Sequence, residues 1–161
     1  MKRTSYIFGL ILITFFFISC SSSKEARTYS KTINGNWQLQ TIVTEGIMGK
    51  VKIMLFNEAD FNCFVGSSWS FNNYNDLGTY TINSSADCSV EKRNIRWTIY
   101  EAPGEPKLLQ FKRLTDKLKE VDDGAGFRFN IIQLDNSVMK LKSTMMFEGK
   151  SVSLIYNFVK N

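Results

Sequence analysis

Between residues 36 and 158, large apolar and polar side chains alternate one for one in eight separate stretches, and that period restricts the chain to one kind of local geometry. Successive side chains of a strand point to opposite faces, so such alternation describes a ribbon with one dry and one wet side. Trp37, Leu39, Thr41 and Val43 are set against Asn36, Gln38 and Gln40; Trp69 and Phe71 against Ser68 and Ser70; Tyr80 and Ile82 against Thr79 and Thr81. The pattern continues through Ile95, Trp97 and Ile99, then Leu109 and Phe111, then Phe127, Phe129 and Ile131. It closes with Met139, Leu141, Met145 and Phe147, and with Val152, Leu154, Tyr156 and Phe158. Turn-forming stretches separate these runs, among them Asn72-Asn73-Tyr74-Asn75-Asp76, Pro103-Gly104-Glu105-Pro106, Asp122-Asp123-Gly124 and Glu148-Gly149-Lys150. Short connections join antiparallel neighbours, and a long meander closes on itself to remove its edges. The expected fold is therefore all-β: an eight-stranded antiparallel up-and-down barrel. Lys50 to Phe64 stays open between a strand, since Val51, Ile53 and Leu55 alternate, and a short helix over Glu58 to Asn62 that lids one end.

The amino end has a different character. Met1-Lys2-Arg3 is basic, and Tyr6 to Ile18 is an uncharged apolar run well short of the roughly 20 residues a membrane-crossing helix needs. Ser19-Cys20 ends it in a way that resembles the lipobox of bacterial lipoproteins, in which the cysteine thiol is acylated before cleavage. Residues 1–19 are thus read as a signal peptide, Cys20 as the lipidated first residue, residues 20–32 as a flexible polar tether, and residues 33–161 as one barrel domain. Ser21, not Asp, follows the cysteine, so resemblance to Gram-negative sorting rules implies an outer-membrane lipid anchor facing the periplasm or the surface.

Removing Lys2 and Arg3 discards two of 20 basic residues and none of the 15 acids, which lowers the net charge from +5 to +3. That charge is weak and dispersed, and no nucleic-acid partner is expected. With Cys20 acylated, Cys63 and Cys88 are the remaining thiols in an oxidising compartment, and a disulfide between them is the natural reading. Closing that loop stabilises the fold by about 3 to 4 kcal/mol through the entropy of the unfolded chain. The chain contains no His, which removes the usual general base and the usual nitrogen ligand for zinc or copper. Its carboxylates lie mainly in turn-like stretches such as Glu58-Ala59-Asp60 and Asp122-Asp123, where solvated loop acids are the expectation. No metal, no cofactor and no enzymatic activity are expected.

Gly35-Asn36-Trp37 opens the first strand and resembles the Gly-x-Trp signature of lipocalins, whose Trp plugs the base of the barrel. A wider similarity to small lipocalin-like lipoproteins of Gram-negative bacteria runs through Cys63-Phe64, Ser68-Trp69-Ser70-Phe71, Gly78-Thr79-Tyr80, Cys88, Ile95-Arg96-Trp97 and Asn157-Phe158-Val159-Lys160. The resemblance implies a basic residue packed on Trp37, either Lys160 or Arg113. It also implies a small apolar or amphipathic ligand held inside the barrel.

The inward positions are heavily aromatic, and Trp69, Phe71, Tyr80, Trp97, Phe127, Phe129, Met139, Leu141 and Tyr156 are the candidate lining residues. Two readings remain open. These side chains line a cavity for a small ligand, or they fill a small barrel completely and leave a non-catalytic structural or protein-interaction module. The lipocalin resemblance favours the first. Arg96 and Arg128 alternate with apolar neighbours and are expected on the outer face, and a monomer is the expected state.

Overall fold

A computed structural model of the protein describes residues 23–49, 51–83, 87–89 and 91–161. The signal peptide and Cys20 lie outside the described residues. Among those described, eight strands form one closed barrel: β1 (Gly35–Glu45), β4 (Ser68–Asn72), β5 (Leu77–Ile82), β6 (Glu91–Tyr100), β7 (Leu108–Leu114), β8 (Phe127–Leu134), β9 (Val138–Phe147) and β10 (Lys150–Lys160). Each pairs antiparallel with its neighbour, and β1 closes the ring between β10 and β4. The two remaining strands, β2 (Met54–Leu55) and β3 (Ala59–Asp60), form a small hairpin of their own. The fold expected from alternation is the one observed.

Alternation places the aromatic positions inside, where Trp37, Tyr80, Trp97 and Phe111 are buried. Burying an aromatic side chain removes a large apolar area from water, and this term dominates the stability of such a barrel. One strand departs from the pattern. Between Leu39, opposite Phe158, and Thr41, opposite Asn157, the register of β1 slips by Gln40. This extra residue is a β-bulge, and a one-residue insertion turns every following side chain to the other face. Thr41 and Val43, expected inside, are therefore exposed, and Ile42 packs on the core instead.

The polar stretch read as a tether is also different from Lys24 onward, for it forms helix α1 (Lys24–Ile33). Ser23 caps it, its hydroxyl accepting from the Ala26 N–H, while Glu25 in the first turn and Lys31 in the last oppose the helix dipole favourably. Ala26 and Ile33 are buried seven residues apart on one face. The apolar signal is that sparse, which is why the stretch reads as polar. The Ser23 N–H and hydroxyl both donate to Glu101, which also pairs with Lys107 at 3.0 Å, so α1 is fastened beyond the end of β6.

Candidate functional site

The barrel interior is built from stacked rings. Trp69 lies on Tyr80 at 4.7 Å between centroids and Phe111 on Phe129 at 5.8 Å, arrangements in which one ring is offset over the next. At their centre sits Phe56, which belongs to no barrel strand. Its ring meets those of Phe64, Phe111 and Phe127 edge-on at 5.0, 5.1 and 5.0 Å, and it also reaches Trp69 and Phe129. What remains empty is a void of about 10 Å³ lined by Phe56, Trp69, Phe71, Leu109, Phe111, Phe129, Leu141, Tyr156 and Phe158. A single water needs roughly 10 to 15 Å³, so this void leaves no room for a ligand while the hairpin is in place.

Phe56 gets there because the β2–β3 hairpin turns inward. Phe56 and Asn57 both adopt positive φ, 53° and 54°, the Glu58 N–H donates to the Leu55 carbonyl at 2.9 Å, and Leu55 pairs with Ala59, so a tight turn with left-handed central residues reverses the chain. A bulky residue in this left-handed region costs on the order of 1–2 kcal/mol, which the burial of its ring offsets. Asp60 stiffens the hairpin by accepting from the N–H groups of Ile53 and Asn62, and so caps the 3-10 turn Phe61–Phe64. The disulfide expected between Cys63 and Cys88 is present, with an S–S distance of 2.08 Å, and it ties this turn to the segment ahead of β6. The ambiguous region is thus a short hairpin followed by one 3-10 turn, and together they plug the barrel mouth.

Glu58 follows the turn and points into the same end. Far from being a solvated loop acid, its side chain is only 5 % exposed. The Tyr80 hydroxyl donates to its Oε2, and Arg113 Nη1 stands 3.7 Å from the same oxygen. Arg93 Nε lies 2.5 Å from Oε1, an ion pair without hydrogen-bond alignment, so that among the described residues Oε1 has no hydrogen-bond donor. Arg93 also pairs with Glu91 at 3.0 Å. Burial, and then the neighbouring Glu58 carboxylate, push the Tyr80 hydroxyl far above the ordinary phenol range and keep it a neutral donor. Burial likewise pushes Tyr156 up to about 12, with Ser143 at 3.1 Å as its polar partner. Outside the hairpin a cleft of about 380 Å³, lined in part by Asn57, Glu58, Arg93 and Arg113, leads from solvent to this cluster.

At the other end Trp37 is sealed in. Its indole N–H donates to the Ile33 carbonyl at 2.7 Å, and the Lys160 ammonium lies 5.0 Å from its ring and donates to the Thr32 carbonyl. Of the two basic candidates, Lys160 is the one on the tryptophan. Gly35 makes this possible, because at φ 123° it carries no side chain where the Lys160 Cε would stand 3.0 Å from a Cβ. The sequence profile of the lipocalin-like domain matches residues 33–141, most of the chain. The chain belongs to the lipocalin-like domain family.

Similar solved structures include a lipocalin-like protein of Bacteroides uniformis, 14% identical, with 81% of this chain and 99% of that one covered at a TM-score of 0.47. Bovine odorant binding protein in complex with a selenium-containing odorant is 14% identical, with 88% of this chain and 78% of that one covered and a TM-score of 0.47. Curated proteins give no match.

In this lipocalin-like barrel every candidate lining residue lies on the inner face, although Phe127 keeps partial exposure at the mouth. Trp69, Phe71, Phe129, Leu141 and Tyr156 border the residual void, whereas Trp97 and Met139 pack away from it. Arg96 and Arg128 are outside, as expected, and Arg128 lies over the Tyr100 ring at 4.6 Å. They border a recess of about 550 Å³ in which Lys112 is already held by Glu120 at 3.0 Å. Among the described residues no cluster of acids and cysteines could hold a metal, and no helix is long and apolar enough to cross a membrane. Sequence reasoning missed Phe56, Glu58, Arg93 and Arg113. The two arginines carried a signal, because each stands on the inward parity of its strand, with Ile95 and Trp97 or with Leu109 and Phe111.

Proposed function

We propose that this protein is a lipid-anchored binding protein of the Gram-negative cell envelope that takes one small apolar or amphipathic molecule into its barrel, without catalysis. The reading rests on Phe56. The aromatic chamber is completed by a side chain from a separate hairpin, whereas a barrel evolved only as a packed core can be filled from its own strands. Lifting that hairpin exposes an apolar chamber with a few polar groups at its rim, the usual make-up of a small-molecule site. The second reading, a fully packed structural or interaction module, draws on the same 10 Å³ void.

A neutral fluorescent probe, N-phenyl-1-naphthylamine, separates the two. Phe56→Ala is expected to cost about 3–5 kcal/mol of stability, as large-to-small core changes do, and to tighten probe binding about tenfold. A folded Phe56→Ala variant that carries the enlarged void and leaves the probe as unbound as the wild type in the same titration speaks for the packed module.

A further inference from the structure

Phe56 and Glu58 lie two residues apart on one tight turn, yet they enter different environments: one an aromatic chamber, the other a cationic rim. Together they present an apolar body joined by a short link to a carboxylate. We propose that this pair occupies the place of the ligand, and that the ligand is an apolar carboxylic acid that displaces the turn. Its carboxylate takes the position of Glu58 against Arg93, Arg113 and Tyr80, and its body takes that of Phe56. The inference rests on the binding function proposed above and adds the chemical class.

Three observations carry it. The rim is built for an oxyanion: two guanidiniums and a phenol held in its neutral, donating form converge on one carboxylate, and Arg113 is itself buried. An uncharged group in that place would remove a negative charge that Arg93, beside its other partner Glu91, and the buried Arg113 both approach, and such a loss is costly away from water. The resident carboxylate is held at Oε1 by an ion pair to Arg93 that lacks hydrogen-bond alignment, and Arg113 stands beyond hydrogen-bond reach of Oε2. A free acid, unconstrained by the turn, can align both oxygens. The resident is also approachable, because the cleft beside the hairpin leads to Glu58 from solvent. The strained backbone at Phe56 and Asn57 is released when the turn withdraws, which lowers the cost of exchange.

The test compares 4-phenylbutyrate with 4-phenylbutan-1-ol, equal in body and different in head group, by titration calorimetry at neutral pH. The full chain carrying Cys20→Ser is used, so that no acyl group competes. On this background and on Phe56→Ala, the acid is expected to bind at least tenfold more tightly than the alcohol. Glu58→Gln, which removes the resident charge, tightens the acid and leaves the alcohol unchanged. Arg93→Met, at the partly exposed edge of the rim, lowers the acid to the level of the alcohol. Equal affinity for acid and alcohol in both backgrounds overturns the carboxylate assignment while leaving a ligand-binding barrel in place. Absence of binding by either compound and by the naphthylamine probe overturns the binding function itself.

Discussion

Tyr80 and Tyr156 place two phenol groups inside the wall, and their surroundings make the fold sensitive to alkali. A phenol whose folded pKa is raised contributes stability that is complete below its unfolded value near 10 and is lost as pH climbs towards the folded value. For Tyr156 that window runs from 10 to about 12. Tyr156→Phe removes the ionising group, so its alkaline unfolding midpoint should lie above that of the wild type in a pH titration followed by circular dichroism; an unchanged midpoint would count against burial as the cause. Backbone crowding gives a second prediction. A Cβ at Gly78 would stand 2.3 Å from the Ser70 carbonyl of the paired strand, so Gly78→Ala must push β4 and β5 apart. A loss of about 2 kcal/mol or more is expected in denaturant unfolding, within the range for overpacked sites. Single residues also show where sequence reading stops. Arg93 and Arg113 were legible as inward by parity, but their partner was not, since Glu58 reads as an ordinary turn acid until the hairpin around it is seen to fold inward.

Elements divide in the same way. The strands announced themselves because a half-buried strand repeats every two residues and eight copies reinforce one another. The bulge at Gln40 did not, since one inserted residue leaves no mark on composition and is revealed by the β10 register alone. Helix α1 escaped because it offers two buried residues, and much of its anchoring is the contact of Ser23 with Glu101 across 78 positions of sequence. That contact, with help from Lys107, holds the Glu101 carboxyl down at about 2. Stability from a depressed carboxylate is present above its unfolded value, 4.5, and fades as pH falls towards the folded one. The protection of α1 amides, measured against their intrinsic exchange rates, should therefore fall between pH 4.5 and about 2, and Glu101→Gln should show the lower protection already at neutral pH; equal protection in both proteins would mean that Glu101 does not anchor the helix. The disulfide joins the 3-10 turn that follows the hairpin to Cys88 across a sequence separation of 25. Replacing both cysteines by serine should lower unfolding free energy by about 3 to 4 kcal/mol, and a loss below about 1 kcal/mol would show that the hairpin holds itself.

Across the whole molecule the two ends of the barrel carry different jobs, and β6 measures the distance between them. Arg93, near its first residue, meets the plug; Glu101, just past its last, holds the cap of α1. The described chain therefore begins, at Ser23, at the end opposite the mouth. Cys20 precedes Ser23 by three residues, and extended chain spans at most about 3.6 Å per residue, so a lipid on Cys20 can be no more than about 11 Å of chain from that closed end. On the proposed function, an acylated Cys20 would hold the base of the barrel near the membrane and leave the hairpin and its cleft on the side facing away from it. The arrangement makes a joint prediction. Cys20→Ser should move the protein from the membrane to the soluble envelope fraction without altering its fold or its affinity for the naphthylamine probe, because the anchor and the mouth share no residue. A Cys20→Ser protein that still sediments with membranes would remove the lipid anchor from this account, and a changed probe affinity would place the acyl chain at the mouth instead of the base.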